Sequence, residues 1–258
     1  MPAFLVFTLY APLAAFGDVA VGERRVAFDR PSRSGVLGLA AAALGIARND
    51  EASHAALDAA YACAVRVDRA GTLLQDYHTV QAPPARAGRR WSTRAAALAE
   101  PGLGTLLSLR DYRQDALATI VLMARASGDA YGPERLAEAL ARPRFTLYAG
   151  RKACPLGLPP RPLVVEAEGL VAALARYDTE APAPERDLRA VLSPQPSAHR
   201  TAPEPATIHA DRDFAAAGGL SGLEPLRVEW RRDHVASRAR WQFGLRETLA
   251  LRPAEGSP

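Results

Sequence analysis

At 258 residues and 48% hydrophobic, the chain can bury a real core, as one large domain or two small ones. Charged residues make up 23% and leave a formal net charge of +4, carried almost entirely by arginine, a balance that favours an anionic partner. Two distant cysteines, Cys63 and Cys154, argue against a zinc site and read as buried reduced thiols, and the apolar start at Phe4–Leu9 is too short for a membrane span. The expectation is a cytoplasmic protein with no metal, no cofactor and no membrane contact.

Residues 3–10 (AFLVFTLY) are short, apolar and rich in aromatic and β-branched types, which predicts a buried strand. A Gly/Ser/Pro stretch leads into a nearly apolar helix over 34–46, with Ser34 as candidate N-cap and Asn49-Asp50 as its stop. A helix so apolar must pack against a sheet. In YACAVRVD (61–68), Tyr61, Cys63, Val65 and Val67 share one face and Arg66 and Asp68 the other, the period of a half-exposed strand. Residues 115–124 (DALATIVLMA) predict a further apolar strand. Pro133 opens a helix whose Leu136 and Leu140 lie one turn apart, and Pro143 closes it. FTLYAG (145–150) reads as the last strand. The resulting β-α-β-β-α-β order is that of the ferredoxin-like fold, an α+β arrangement that RNA-recognition modules use and that also hosts many unrelated functions.

Between the second and third strands lies an insertion at about 79–113. Its Pro, Gly and Arg content shows no evident element, and its basic, aromatic ends suit a protruding arm. Beyond Pro162, PLVVEAEGLVAALARY predicts a strand and a short helix. Residues 179–207 read as a flexible Pro/Ala-rich loop, and 226–235 and 240–251 as strands with alternating arginine.

Four stretches gather polar chemistry. In DRPSRSGVLGL (29–39), the hydroxyls of Ser32 and Ser34, the Arg33 side chain and the N–H groups near Gly35 could receive a phosphate at a helix start, or simply cap that helix. The GK[ST] ending is missing, which excludes a nucleotide-hydrolysing P-loop. In QDYHTV (75–80), Tyr77 could stack on a base, and His78 could bond to RNA, act as an acid/base group or serve the structure alone. In SLRDYRQD (108–115), Arg110 and Arg113 flank Tyr112, the cation–aromatic mix of single-strand binders; the plain alternative pairs both arginines with Asp111 and Asp115. In YAGRKACPLGLP (148–159), Gly150 permits close approach, and Arg151 with Lys152, the sole lysine, makes a compact cationic pair or ordinary surface charge.

Taken in series, PSRSGVLGLAAAALGI (31–46), VRVDRAG (65–71), LLQDYHTV (73–80), PRFTLYAGRKACPL (143–156) and SRARWQFGLRE (237–247) resemble the subtype I-E branch of the Cas5 family in the RAMP superfamily. The resemblance covers most of 3–160 and the tail. It implies a ferredoxin-like domain over 1–160 with a β-hairpin thumb at about 79–113, and a smaller β-rich part over 161–258 that includes the flexible 179–207. It implies a non-catalytic RNA-binding subunit of the type I-E CRISPR surveillance complex, Cascade, which caps the 5′ handle of crRNA in antiviral defence. The partners implied are the backbone subunit CasC, the large subunit CasA, other Cascade subunits and target DNA near the complex. The RNA-binding residues implied are Ser32, Arg33, Ser34 and Gly35 at the helix start and Arg66 on its strand. Tyr77, His78, Arg110, Tyr112 and Arg113 join them on the arm, with Arg151 and Lys152 on the turn beyond. Subtype I-C relatives instead trim precursor repeat RNA without a metal; here His78 and Lys152, with Tyr77, are the one combination able to supply a base and a cation. A stand-alone RNA-recognition domain would need an aromatic signature that residues 61–68 lack.

Overall fold

The opening apolar run forms β1 (Ala3–Ala14), in which Phe4, Leu5, Val6 and Phe7 are all buried. Consecutive strand residues point to opposite faces, so four buried in a row require a sheet covered on both sides. The computed structural model describes residues 1–17, 20, 22–85, 90–125, 131–180, 206–216, 219–238, 240 and 242–254. After β1 come β2 (Arg24–Arg25), α1 (Arg33–Leu44), α2 (Glu51–Ala60), β3 (Tyr61–Arg69), β4 (Thr72–Ala82) and α3 (Arg94–Leu98). Then follow β5 (Gly104–Ala124), α4 (Pro133–Ala141), β6 (Leu163–Glu166) and α5 (Leu170–Glu180). The chain closes with β7 (Ile208–Asp211), α6 (Asp213–Ala216), β8 (Leu223–Ser237) and β9 (Gln242–Pro253).

These strands make one nine-stranded sheet with the order β6-β1-β5-β3-β7-β9-β8, antiparallel along that path; β2 and β4 pair with the outer part of β5. The architecture is a mixed α/β one, a large antiparallel sheet with few helices. On one face Leu5, Phe7, Cys63, Ile120 and Leu122 pack under α1 and α4 through Val36, Leu37, Leu136 and Leu140. On the other Phe4, Val6, Ala64, Val121 and Met123 meet Leu170, Leu174 and Tyr177 of α5 and Phe214 of α6. Among the described residues no helix is long and apolar enough to cross a membrane, and Cys63 and Cys154 are free and buried.

Four expectations are corrected by local physics. Ser32, not Ser34, caps α1: its side chain accepts from the Gly35 N–H. The helix stops at Gly45, whose left-handed φ of 79° returns its N–H to the Ala41 and Ala42 carbonyls, and Asp50 instead caps α2, bonding the Ser53 N–H at 3.0 Å. FTLYAG is not a strand. Its start, with the preceding Arg144, serves α1, since the N–H groups of Arg144 and Phe145 bond to the Ala43 and Ala42 carbonyls; its end turns on itself, Ala149 donating to Cys154, and only Tyr148 makes a bridge, to Pro155. β3 is not half-exposed, because Ala62 and Ala64 are as buried as Tyr61 and Cys63. The insertion at 79–113, without an evident element in its own sequence, lies in a hairpin, the arrangement the resemblance implies: β4 and β5 pair in unbroken register from Thr72↔Gln114 to Ala82↔Gly104. Most of the expected loop at 179–207 lies outside the described residues.

Candidate nucleic-acid interface

The hairpin leaves the core where Gly71 and Asp115 both take left-handed φ, 74° and 54°. A Cβ at Gly71 would lie 2.5 Å from the Gln114 carbonyl, so this crossing from core to arm admits glycine alone. Asp115 accepts from the Tyr10 hydroxyl at 3.1 Å, and not from an arginine. Beyond the crossing most of β4 is exposed, because no second layer covers the arm.

Antiparallel register sorts the arm's side chains between two faces. Leu73↔Arg113, Gln75↔Asp111 and Tyr77↔Leu109 share one; Leu74↔Tyr112, Asp76↔Arg110 and His78↔Ser108 share the other. Tyr77 is 61% exposed. His78 holds Asp76 through Nδ1 at 2.7 Å, a carboxylate–imidazole pair on the half-exposed surface. Arg110 donates to Ser108 Oγ at 3.2 Å. The predicted arm residues therefore do not form a single constellation.

The foot of the arm does gather them. Gly150 has a φ of 89°, and a Cβ there would fall 2.1 Å from the Ala15 carbonyl, so the turn after it is pressed against the end of β1. That placement sets the Arg151 guanidinium 4.8 Å from the centre of the Tyr112 ring, a cation–π contact. Arg151 also donates to the carbonyls of Asp111 at 3.3 Å and Arg25 at 3.2 Å, while Lys152 beside it is exposed. Tyr112 packs half-buried on the cluster of Ala11, Ala14, Ala116 and Cys154. The buried Asp111 accepts from Gln75 at 3.0 Å and lies 3.7 Å from Arg24. Arg24 and Arg25 were not among the sequence candidates. Two adjacent arginines after a Gly-Glu turn were the available signal, but only the parallel pairing of β2 with Leu109 and Arg110 brings them here.

The helix-start loop is committed to the interior. Arg33 donates to Asp211 at 2.8 Å and to the Tyr61 carbonyl at 2.7 Å, pairs with Asp58, and is 6% exposed; its backbone N–H bonds Asp233 at 2.9 Å. Burial opposes its charge, but Asp211 and Asp58 outweigh it and raise the Arg33 pKa. Asp211 also accepts from the Cys63 N–H and pairs with Arg246, which holds Asp233 at 2.9 Å. Arg66 is similarly engaged, by Asp178 at 2.6 Å and Asp68 at 2.7 Å. Neither arginine offers a free fork to a phosphate. Ser32 and Ser34 stand 3.1 Å apart through their hydroxyls, and Gly35 is exposed at the turn.

A family profile described as CRISPR-associated protein (Cas_Cas5) matches residues 4–247. The CRISPR system Cascade subunit CasD of Escherichia coli (strain K12) is 35% identical over 167 residues, 62% of this chain and 70% of the relative. Two solved structures share the fold. A chain of a CRISPR RNA-guided surveillance complex aligns with a TM-score of 0.56 at 23% identity, over 97% of this chain and 91% of that one. A Cas protein crystal structure aligns with a TM-score of 0.53 at 25% identity, over 99% and 97%.

Proposed function

Because this chain belongs to the Cas5 family of CRISPR-associated proteins, we propose that it is the RNA-binding subunit of a type I-E surveillance complex, holding the 5′ handle of crRNA without cutting it. The observation that carries the reading is the Arg151–Tyr112 stack with exposed Lys152 at the foot of an uncovered hairpin. Arginine and an aromatic side by side can take a phosphate and a base from one single strand. The arm plays the family's thumb, docking against the backbone subunit CasC, with the large subunit CasA and target DNA nearby. The order β6-β1-β5-β3 with α1 and α4 as crossovers supports a ferredoxin-like reading that runs through β6 at Leu163–Glu166, a little past the expected boundary at 160, with the later segment as a smaller β-rich part.

Replacing Arg151 and Lys152 together by alanine is expected to weaken guide-RNA retention by about tenfold or more, as loss of a stack and a phosphate contact requires. Filter binding to repeat-derived RNA measures it, and unchanged affinity would remove this turn from the RNA path. The His78–Asp76 pair supports one rival reading, a metal-independent endoribonuclease. Repeat RNA incubated with the protein in EDTA decides: specific cleavage abolished by His78→Ala would overturn the scaffold reading.

A further inference from the structure

Far from the arm, β8 ends the sheet: β9 lies on one side of it and, among the described residues, no strand on the other. Such an edge presents backbone N–H and C=O groups ready to pair with another strand. Parts of β8 are blunted against this. Pro225 has no N–H to donate, and a register shift between Arg231 and His234 breaks the line of the strand. Between those two, Arg227 to Arg231 pair with β9 without a break. The side chains of this stretch divide between the faces. Glu229 and Arg231 turn to the side of the buried charges, where Glu229 pairs with Arg30 and Arg231 lies over the Phe28 ring. Val228 and Trp230 turn to the other, with Val228 opposite Leu249 at the margin of the cluster under α5. The cover stops there. Trp230 is 65% exposed and Val228 52%, and Leu226 and Leu245 beside them are exposed as well. An open tryptophan grouped with three exposed aliphatic residues on a strand edge marks a contact surface.

Symmetry and charge say what fits it. Two copies of β8 laid antiparallel about a two-fold axis at Val228 set each Arg227 opposite the Glu229 of the other copy. The same register sets each Trp230 opposite the other copy's Leu226, and Val228 opposite Val228. Arg227, with an exposed side chain, already reaches Glu229 of its own strand at 2.7 Å, so the four charges close into one alternating set. Moving the axis to Glu229 would set Arg227 against Arg231, a like-charge pair. Moving it to Arg227 would set Trp230 against Glu224. Of these three registers, only the one centred on Val228 suits both faces.

We propose that β8 is a self-association edge, through which two copies of the free chain form a two-fold dimer. Their β8 strands pair antiparallel about Val228 and carry one sheet across both copies. The inference does not rest on RNA binding, and the arm takes no part in it.

Sedimentation velocity of the full chain without RNA, from micromolar to near-millimolar concentration, tests it. A reversible monomer–dimer equilibrium is expected. Trp230→Arg is expected to weaken it by about tenfold or more, because tryptophan is the largest apolar side chain in the pairing. Val228→Cys tests the register. Residues directly opposite in an antiparallel pair have Cα atoms about 4.5–5.5 Å apart, a span that a disulfide takes, and Cys63 and Cys154 are buried and do not compete. Mild oxidation is expected to link Val228→Cys into a covalent dimer and to leave Arg232→Cys, four residues along, unlinked. A monomer at every concentration, a dimer indifferent to Trp230→Arg, or equal linking at both positions overturns the proposal. A chain that is monomeric alone, but whose Trp230→Arg variant no longer co-purifies with the other subunits, assigns the edge to a different protein and overturns it too. The Arg151→Ala/Lys152→Ala variant is expected to leave the dimer intact, so the RNA path and this edge fail separately.

Discussion

Arginine does two jobs in this chain, and burial separates them. Arg33 and Arg246 neutralise Asp211 and Asp233 inside the protein, whereas Lys152 and Arg24 stand in solvent. Arg33→Met would leave Asp211 with half its counter-charge in a low-dielectric interior. It is expected to cost about 3–5 kcal/mol, read as a fall in the denaturant midpoint. A further residue-scale effect is acid sensitivity. His209 is pulled down to about 4, first by burial and then by the Arg30 charge, against the pull of Glu229 and Asp29. The unfolded chain, with a histidine near about 6.5, takes up the proton more readily. The stabilising contribution of neutral His209 is therefore complete above about pH 6.5 and is lost as pH falls toward about 4. Denaturation at a series of pH values is expected to show this slope, and His209→Gln to flatten it. The Arg33–Asp211 pairing could not be read from local sequence, because that carboxylate lies 178 residues further on.

Among elements, the arm was the least legible and the apolar strands the most. β1 and the inner half of β5 announce themselves because two-sided burial leaves unbroken apolar runs, AFLVFTLY and ATIVLMA. β4 has no buried face, so hydrophobic alternation never arises, and the pairing rests on backbone bonds to an already anchored β5. FTLYAG misled for the opposite reason. Leu147 and Ala149 are buried alternately, as in a strand, yet Phe145 donates to Ala42 at the end of α1, Ala149 to Cys154 and Gly150 to Tyr148, so no sheet ladder forms. Because the arm adds little to either hydrophobic cluster, replacing 83–103 by a short turn is expected to leave the melting temperature nearly unchanged. The same variant should fail to join the complex, checked by co-purification with the other subunits. Normal assembly would remove the docking role from the tip of the arm, since the variant keeps the paired strands β4 and β5.

For the molecule as a whole, the sheet is one continuous surface from β6 to β8, and the resemblance in series anticipated its family but not its extent. Where the later strands would sit was hidden, since β7 reaches β3 across more than half the chain and no short-range pattern encodes that choice. Guide-RNA affinity is expected to fall steeply with salt, by a slope of about 0.7 per phosphate contact on a single strand. Arg151→Ala/Lys152→Ala should flatten that slope, and an unaltered slope would mean that neither cation touches a phosphate. The Arg33–Asp211 bond also carries a meaning for biosynthesis. Asp58 follows Arg33 by 25 residues, but Asp211 and Asp233 follow it by 178 and 200, so a growing chain completes the anion set around Arg33 only once β7 and β8 have been made. Products that terminate before β7 would lack this lock and be more open to proteases.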